Sequence, residues 1–387
     1  MLFRSEAATS NPQNSGSGAS LAMLSYLGRF NYNLLGRYLI TGSFRADGSS
    51  RFLSNNRWGY FPSGAVAWKV SEENFFKNLG QNVVSSLKIR AGYGEIGNEN
   101  INSYYPYLTP IRQQQYYTLG ESQIRVNGAG NASLGNPAVQ WETAKQTNFG
   151  IDMMFLDGKL SSTVDYYIRK TDNILLSQQV PRISGSNSIT RNVGGMENRG
   201  VEVTVNYKEN RKAFKYDISA NVATVKNEVT SLGTSEALIS SFAYDYVLID
   251  FQGAFGSIIR SVVGRPYGQF YGWRTDGIFQ NQSEIDNYLF NGAKIQATAK
   301  PGDFKFKDLN NDGKINDSDK DYIGSPIADV TFGLTFNASY KRFDMSLSFQ
   351  GQAGNEIYNA AKYYFMKFDG RQNVRTEIGR ASCRERV

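Results

Sequence analysis

Apolar and polar positions alternate with a period of two in one segment of the chain after another. In DVTFGLTFNASY, residues 329–340, Val330, Phe332, Leu334, Phe336, Ala338 and Tyr340 fall on one side of an extended backbone. Thr331, Gly333, Thr335, Asn337 and Ser339 fall on the other. Strand side chains point alternately to the two faces of a sheet, so each such segment predicts a strand with one apolar face. Tyr38, Ile40, Gly42 and Phe44 repeat the pattern, as do Leu87, Ile89, Ala91 and Tyr93. Several segments are predicted to pair as hairpins. The row Phe149, Ile151, Met153 passes through Asp157 and Gly158, residue types that tolerate positive φ, into Leu160, Ser162, Val164, Tyr166 and Ile168. Val201, Val203, Val205 and Tyr207 lead through KENRKA into Phe214, Tyr216, Ile218, Ala220 and Val222. After Tyr340 a short KRFD turn leads into Met345, Leu347 and Phe349. Polar stretches near 95–140, 171–198 and 228–328 are expected to be long loops, and SEENFFKNLG at 71–80 predicts one short helical turn. There is no fixed-period repeat.

Two all-β architectures fit this pattern. A soluble sandwich would bury the apolar rows between two sheets. A membrane barrel would turn them to lipid and keep water inside. The polar rows are rich in Ser, Thr, Asn, Gln and Gly rather than charge. Tyr and Phe gather towards strand ends, as in SYYPYL, VDYYIRK and KYYFMKF. Aromatic girdles and short turns alternating with long loops are barrel features.

Composition narrows the choice. No run of 18 apolar residues exists, which excludes a helical span but not a barrel. The head MLFRS and the tail IGRASCRERV follow no periodicity, and the tail back-translates naturally to a short-read sequencing adapter. We therefore expect residues 1–5 and 378–387 to be adapter-derived and 6–377 to be an open-ended gene fragment. Setting the ends aside removes Arg4, Arg380, Arg384, Arg386 and Glu385, so the net charge falls from +7 to +4. It also removes the single cysteine, Cys383. The remaining charge gives no reason to invoke nucleic acid.

Longer blocks resemble a known family. FRADGSSRFLSNNRWGYFPSGAVAWKVSEENFF, LKIRAGYGEIGN, WETAKQTNFGIDMMFLDGKLSSTVDYYIRKTDNIL, NVGGMENRGVEVTVNY, YGQFYGWRTDGIFQ and PGDFKFKDLNNDGKINDSDKDYIGSP occur in this order. Together they resemble the barrel of SusC/RagA-family TonB-dependent outer-membrane transporters. The resemblance implies an antiparallel transmembrane segment of a plugged barrel, in the 22-stranded size class. It implies import of oligosaccharides or peptides across the outer membrane of Bacteroidota-type bacteria. The implied partners are a SusD/RagB-like lipoprotein, outer-membrane lipid, and the TonB–ExbB–ExbD system acting through a plug. Nothing in the sequence resembles the plug, the TonB box or the final strand.

The sharpest local motif is DLNNDGKINDSD, 308–319. Read as a twelve-residue calcium loop, it offers Asp308, Asn310 and Asp312 at positions 1, 3 and 5, with Gly313 at the sharp turn. Lys314 would give its backbone carbonyl, and Asp319 a carboxylate at position 12 in place of the usual Glu. The same composition also suits a solvated turn. An alternative reading is therefore a secreted, soluble β-rich carbohydrate-binding protein with a calcium-stiffened loop. Enzyme readings find little support: the chain has 0 histidines, and Glu72–Glu73 and Asp319/Asp321 are paired only by proximity. AGYGEIGN lacks phosphate-loop spacing. YYPYL, Trp141 and FYGWRTD are the stretches suited to stacking on sugars, with loop packing as the other role open to them.

Overall fold

The computed structural model describes residues 18–359, except 79–82, 100, 102, 122, 132–133, 186–187, 211–212, 234–237 and 240–257. Both ends expected to be adapter-derived, and KYYFMKF, lie outside the described residues.

Alternating segments pair with their sequence neighbours. β1 (Met23–Leu34), β2 (Tyr38–Ser49), β3 (Trp58–Lys69) and β4 (Val84–Asn98) come first. β5 (Ile111–Leu119) and β6 (Ile124–Asn131) form a separate hairpin. β7 (Glu142–Phe155), β8 (Leu160–Gln179), β9 (Ser188–Glu209) and β10 (Phe214–Thr224) continue the wall, and β11 (Lys226–Leu232) follows β10 along β9. Eight short strands lie in the next connection: β12 (Leu238–Ile239), β13 (Ile259–Ser261), β14 (Gln269–Trp273), β15 (Thr275–Ile278), β16 (Leu289–Phe290), β17 (Ala293–Lys294), β18 (Phe304–Phe306) and β19 (Lys320–Gly324). β20 (Val330–Tyr340) and β21 (Phe343–Ala353) complete the wall. Its order is β1-β2-β3-β4-β7-β8-β9-β10-β20-β21, with β1 and β21 as open edges among the described residues.

Register joins the predicted apolar rows across the wall. Tyr32, Ile40, Val66, Ala91, Phe149, Tyr166 and Val201 form one continuous row. Arg29, Ser43, Ser63, Gly94, Gln146, Arg169 and Asn198 form a row on the opposite face. No second sheet covers the apolar face among the described residues: Phe30 is 62% exposed and Phe349 60%. A sandwich needs that cover, so the observed arrangement is a barrel wall, whose apolar side is solvated by hydrocarbon.

Connections alternate strictly between the two ends of the wall. Residues 35–37, 70–83, 156–159, 210–213 and 341–342 turn at one end, and 50–57, 99–141, 180–187 and 225–329 connect at the other. Aromatics mark both levels on the apolar face. Phe214 stacks near Tyr340 (6.4 Å) and Tyr207 on Tyr216 (5.7 Å) at the short-turn end. Tyr26 stacks on Trp58 (5.8 Å) and Phe44 on Tyr60 (6.1 Å) at the long-loop end. From Tyr60 to Trp68 the strand advances about 27 Å, and with barrel tilt this crosses about 20 Å, most of an outer-membrane apolar band. The helical turn expected at 71–80 is present as a 3-10 turn, Val70–Glu72, and a helix, Asn74–Asn78. It is riveted by Glu73, whose carboxylate accepts hydrogen bonds from Arg37 (2.8 Å), Tyr38 (2.7 Å) and Trp68 (3.1 Å).

The structure corrects two of the expected loops. Residues 171–198 are largely strand: β8 and β9 stay paired well past the apolar band, up to Gln179 opposite Ser188. There the pair meets loops rather than lipid, with Asn192 donating to the Gln140 carbonyl (2.8 Å), so no long apolar row betrays the strands, and a bulge near Asn173 (φ +60°) interrupts the alternation. The 95–140 stretch likewise contains the end of β4 and the β5–β6 hairpin.

At the junction of β10 and β11 the chain leaves the ladder. Val225 N–H donates to the Asp329 carbonyl (3.0 Å), and Tyr167 donates its hydroxyl to the Thr224 carbonyl (3.3 Å). That carbonyl lies over Gly200, where any Cβ would overlap its oxygen. Gly200→Ala is therefore expected to destabilise the receptor by about 1–3 kcal/mol. Gly28→Ala, on an open apolar face with nothing within 4 Å, serves as the near-neutral comparison. Unfolding of the receptor in lipid vesicles reads both. By the same measurement Leu334→Arg on the apolar face should cost about 2–4 kcal/mol and Thr335→Arg on the polar face far less. Equal costs at 334 and 335 would overturn the assignment of faces.

Candidate functional site: the polar face and the loops over one end

The polar face pairs a group of its charges across β4, β7 and β8. Arg90 donates to both Asp152 oxygens (2.9 and 2.9 Å) and to Asp165 (3.1 Å), and Lys88 lies 2.7 Å from Asp152. In register, Gly150 lies between Arg90 and Asp165, where a larger residue would collide with both side chains. Four charges from three strands thus form one ladder. A wall with this face can line a water-filled path that offers hydrogen bonds without a dominant sign of charge.

At the long-loop end the loops build the structure's buried apolar cluster. Phe52, Phe61, Ile101, Val139 and Trp141 pack together, with Trp141 5.2 Å from Phe52 and 5.6 Å from Phe61 between ring centroids. The Trp141 indole donates to the Arg57 carbonyl (3.1 Å). Trp141 is therefore a packing residue, and its ring is unavailable for stacking on a sugar.

The connection from β11 to β20 folds onto the polar side. Asn198, in the polar row, accepts a hydrogen bond from the Asn227 side chain (2.7 Å), which in turn accepts from the Tyr267 N–H (2.8 Å). Val229 exchanges backbone hydrogen bonds with Gly264 and Arg265 (2.8 and 2.9 Å) and is 1% exposed. The sheet β12-β13-β14-β19 is anchored here, at the mouth of the polar face. The rings of FYGWRTD are used within it. Tyr271 packs edge-on against Tyr322 (5.2 Å), and Trp273 donates to the Asn316 carbonyl (2.8 Å) beneath Lys320. Arg260 and Arg265, which sequence reading passed over, stack on Tyr271 and Tyr322 (4.6 and 4.0 Å). No local motif announces them, because the stack joins three separate strands and a turn.

The 308–319 loop lies in the same connection, between β18 and β19. It brings Asp308, Asp312 and Asp319 together, each with a carboxylate oxygen within 4.8 Å of the others. Asp308 accepts from the Asp312 and Gly313 N–H groups (3.2 and 2.8 Å), and Asn310 accepts from Asp312 N–H (3.0 Å). Asp312 accepts from Lys314 N–H (2.8 Å) and from the Asn316 side chain (3.0 Å). The Asn310 amide and the Lys314 N–H hold the Asp312 carboxyl below its ordinary pKa. Asp319 is fully buried and accepts from the N–H groups of Leu309 (2.9 Å) and Asn316 (2.8 Å). Gly313 takes φ +82°, the left-handed conformation that the turn requires. The flanking elements are strands and a 3-10 turn, Asp317–Asp319, rather than the two helices of an EF-hand.

Known proteins share this architecture. Residues 4–350 match the family model described as TonB dependent receptor-like, beta-barrel. A TonB-dependent receptor of Formosa agariphila is 34% identical over 338 residues, covering 87% of this chain and 32% of that protein. The TonB-dependent receptor SusC of Bacteroides thetaiotaomicron is 35% identical over 341 residues, again covering 87% of this chain and 32% of that protein. A structure of the RagAB peptide transporter superposes with a TM-score of 0.69 at 26% identity, covering 89% of this chain and 35% of that one. The chain therefore spans about a third of the length of the relatives it matches. The wall, its alternating ends and these matches agree: the chain belongs to the TonB-dependent receptor β-barrel family, with relatives of the SusC/RagA type.

Proposed function

We propose that this chain forms part of an outer-membrane transporter that imports oligosaccharides or peptides, working with a SusD/RagB-like lipoprotein over its long-loop mouth. TonB–ExbB–ExbD would supply the energy through the receptor's plug. The observation that carries this reading is the two-faced wall. Its apolar side suits lipid, its polar side suits a hydrated path, and its longest connections, 99–141 and 225–329, stand at one mouth. In this role the chain performs no covalent chemistry. It binds, excludes lipid and guides cargo. The long-loop end then faces outward, since barrels of this class keep their short turns in the periplasm.

We also propose that the 308–319 loop holds calcium through the side chains of Asp308, Asn310, Asp312 and Asp319 and the Lys314 carbonyl. The clustered carboxylates support it: three negative groups this close repel one another, and a hard cation with six or more oxygen ligands relieves that repulsion. The ion would stiffen the mouth.

Cells lacking the receptor gene should lose uptake of one glycan or peptide class, and the intact gene should restore it. Unchanged uptake of both classes, with no lipoprotein co-purifying with the receptor, would overturn the transport reading. For the loop, calcium should protect residues 308–319 of the purified receptor from limited proteolysis, and chelation should remove that protection. Asp312→Ala should abolish the calcium response, and cleavage indifferent to calcium would discard the metal.

A further inference from the structure

Two cations, on β13 and in the turn that follows it, have no counter-charge among the described residues. Arg260 lies 4.6 Å over the Tyr271 ring and Arg265 4.0 Å over the Tyr322 ring, and the two rings pack edge-to-face at 5.2 Å. Both guanidinium groups thus lie on one pair of touching rings, within electrostatic reach of the Tyr322 hydroxyl. Neither arginine pairs with a carboxylate among the described residues. Arg260 Nε is sealed from solvent without an acceptor, as is Gln269 Oε1 without a donor. Arg260 and Gln269 lie directly opposite each other in register. Arg274 on the same sheet makes the contrast: it lies 2.7 Å from Asp321 and donates to the Tyr322 carbonyl (3.1 Å). Among the described residues, one of these three arginines has a carboxylate partner and two have none.

Burying an unpaired donor is costly, and stacking on rings fixes a guanidinium's plane while leaving its edge donors unused. Guanidinium groups oriented by rings and given no carboxylate partner suit a site held ready for an anion that arrives later. A guanidinium fork matches the two oxygens of a carboxylate. We infer that Arg260 and Arg265 form a cargo subsite that takes a carboxylate, either that of a uronic acid or that of a peptide's acidic residue or C-terminus. This inference rests on the transport reading and narrows it to acidic cargo. Its place at the mouth, anchored through Asn227 to the polar face, puts the subsite on the path of entry.

Titration calorimetry on the complete receptor in detergent tests it with three probes: trigalacturonate, a glutamate-rich peptide and neutral maltotriose. At least one acidic probe should bind more tightly than maltotriose, and added salt should weaken that binding. Arg265→Gln should weaken it by about tenfold or more, with Arg265→Lys in between. The arginine at 265 is exposed, so its variants should fold; Arg260→Gln, which loses a packed contact, is interpreted only alongside a matching unfolding curve. Whichever acidic probe binds identifies the source of the carboxylate. Equal affinity for acidic and neutral probes, or acidic binding unchanged in Arg265→Gln, would overturn the subsite. Because this is binding to purified receptor, it fails independently of transport: a receptor that imports cargo yet shows no carboxylate preference sinks the subsite alone.

Discussion

Backbone hydrogen bonding in a medium without water is the constraint on which the rest of this structure depends. Hydrocarbon offers nothing to an exposed N–H or C=O, so each strand of the wall must find both neighbours in register. That requirement explains the order β1 to β21, in which neighbours along the chain are neighbours in the sheet wherever a short turn allows it. It also explains where regularity is relaxed. The bulge at Asn173, the break at Val225 and the irregular β12–β19 region all lie toward the long-loop end, where water or other loops can satisfy the freed groups.

Once the ladder is fixed, the two faces divide the remaining physics. The outward row needs only to be apolar at mid-height and aromatic at its margins, because lipid is a tolerant solvent. The inward row must remain wet without acquiring a strong field, and it does so by pairing charges across strands, as with Lys88, Arg90, Asp152 and Asp165. Such exposed pairs add little stability. Their effect is on what the lumen presents to a solute.

The mouth follows a third logic. With no second sheet to pack against among the described residues, its loops build their own small cores. The Phe52–Phe61–Trp141 cluster closes one part of the rim. The sheet around Tyr271 and Tyr322, anchored by Asn227 and Val229, holds another part over the polar face. Of the rings suited to sugar stacking by composition, Trp141, Tyr271 and Trp273 are used in this construction, while Tyr104 and Tyr105 remain exposed.

Much of this was legible in the chain itself. Period-two alternation is a local property, so the strands from Tyr38 to Phe349, the turn at Asp157–Gly158 and the short helix after Val70 could be placed from neighbouring residues alone. The 308–319 loop was equally legible, because its carboxylates converge through backbone turns only a few residues long. Register, sidedness and exposure were not. The strand residues within 171–198 alternate no apolar row, since they meet loops rather than lipid, and only pairing between β8 and β9 makes them strands. Trp141 looks the same in sequence whether it meets a ligand or Phe52; its burial is decided by residues some ninety positions away. Arg260 and Arg265 become a pair only when β13, β14 and β19 come together. Contacts between distant segments depend on how the sheet closes on its loops, and that was settled by tertiary structure.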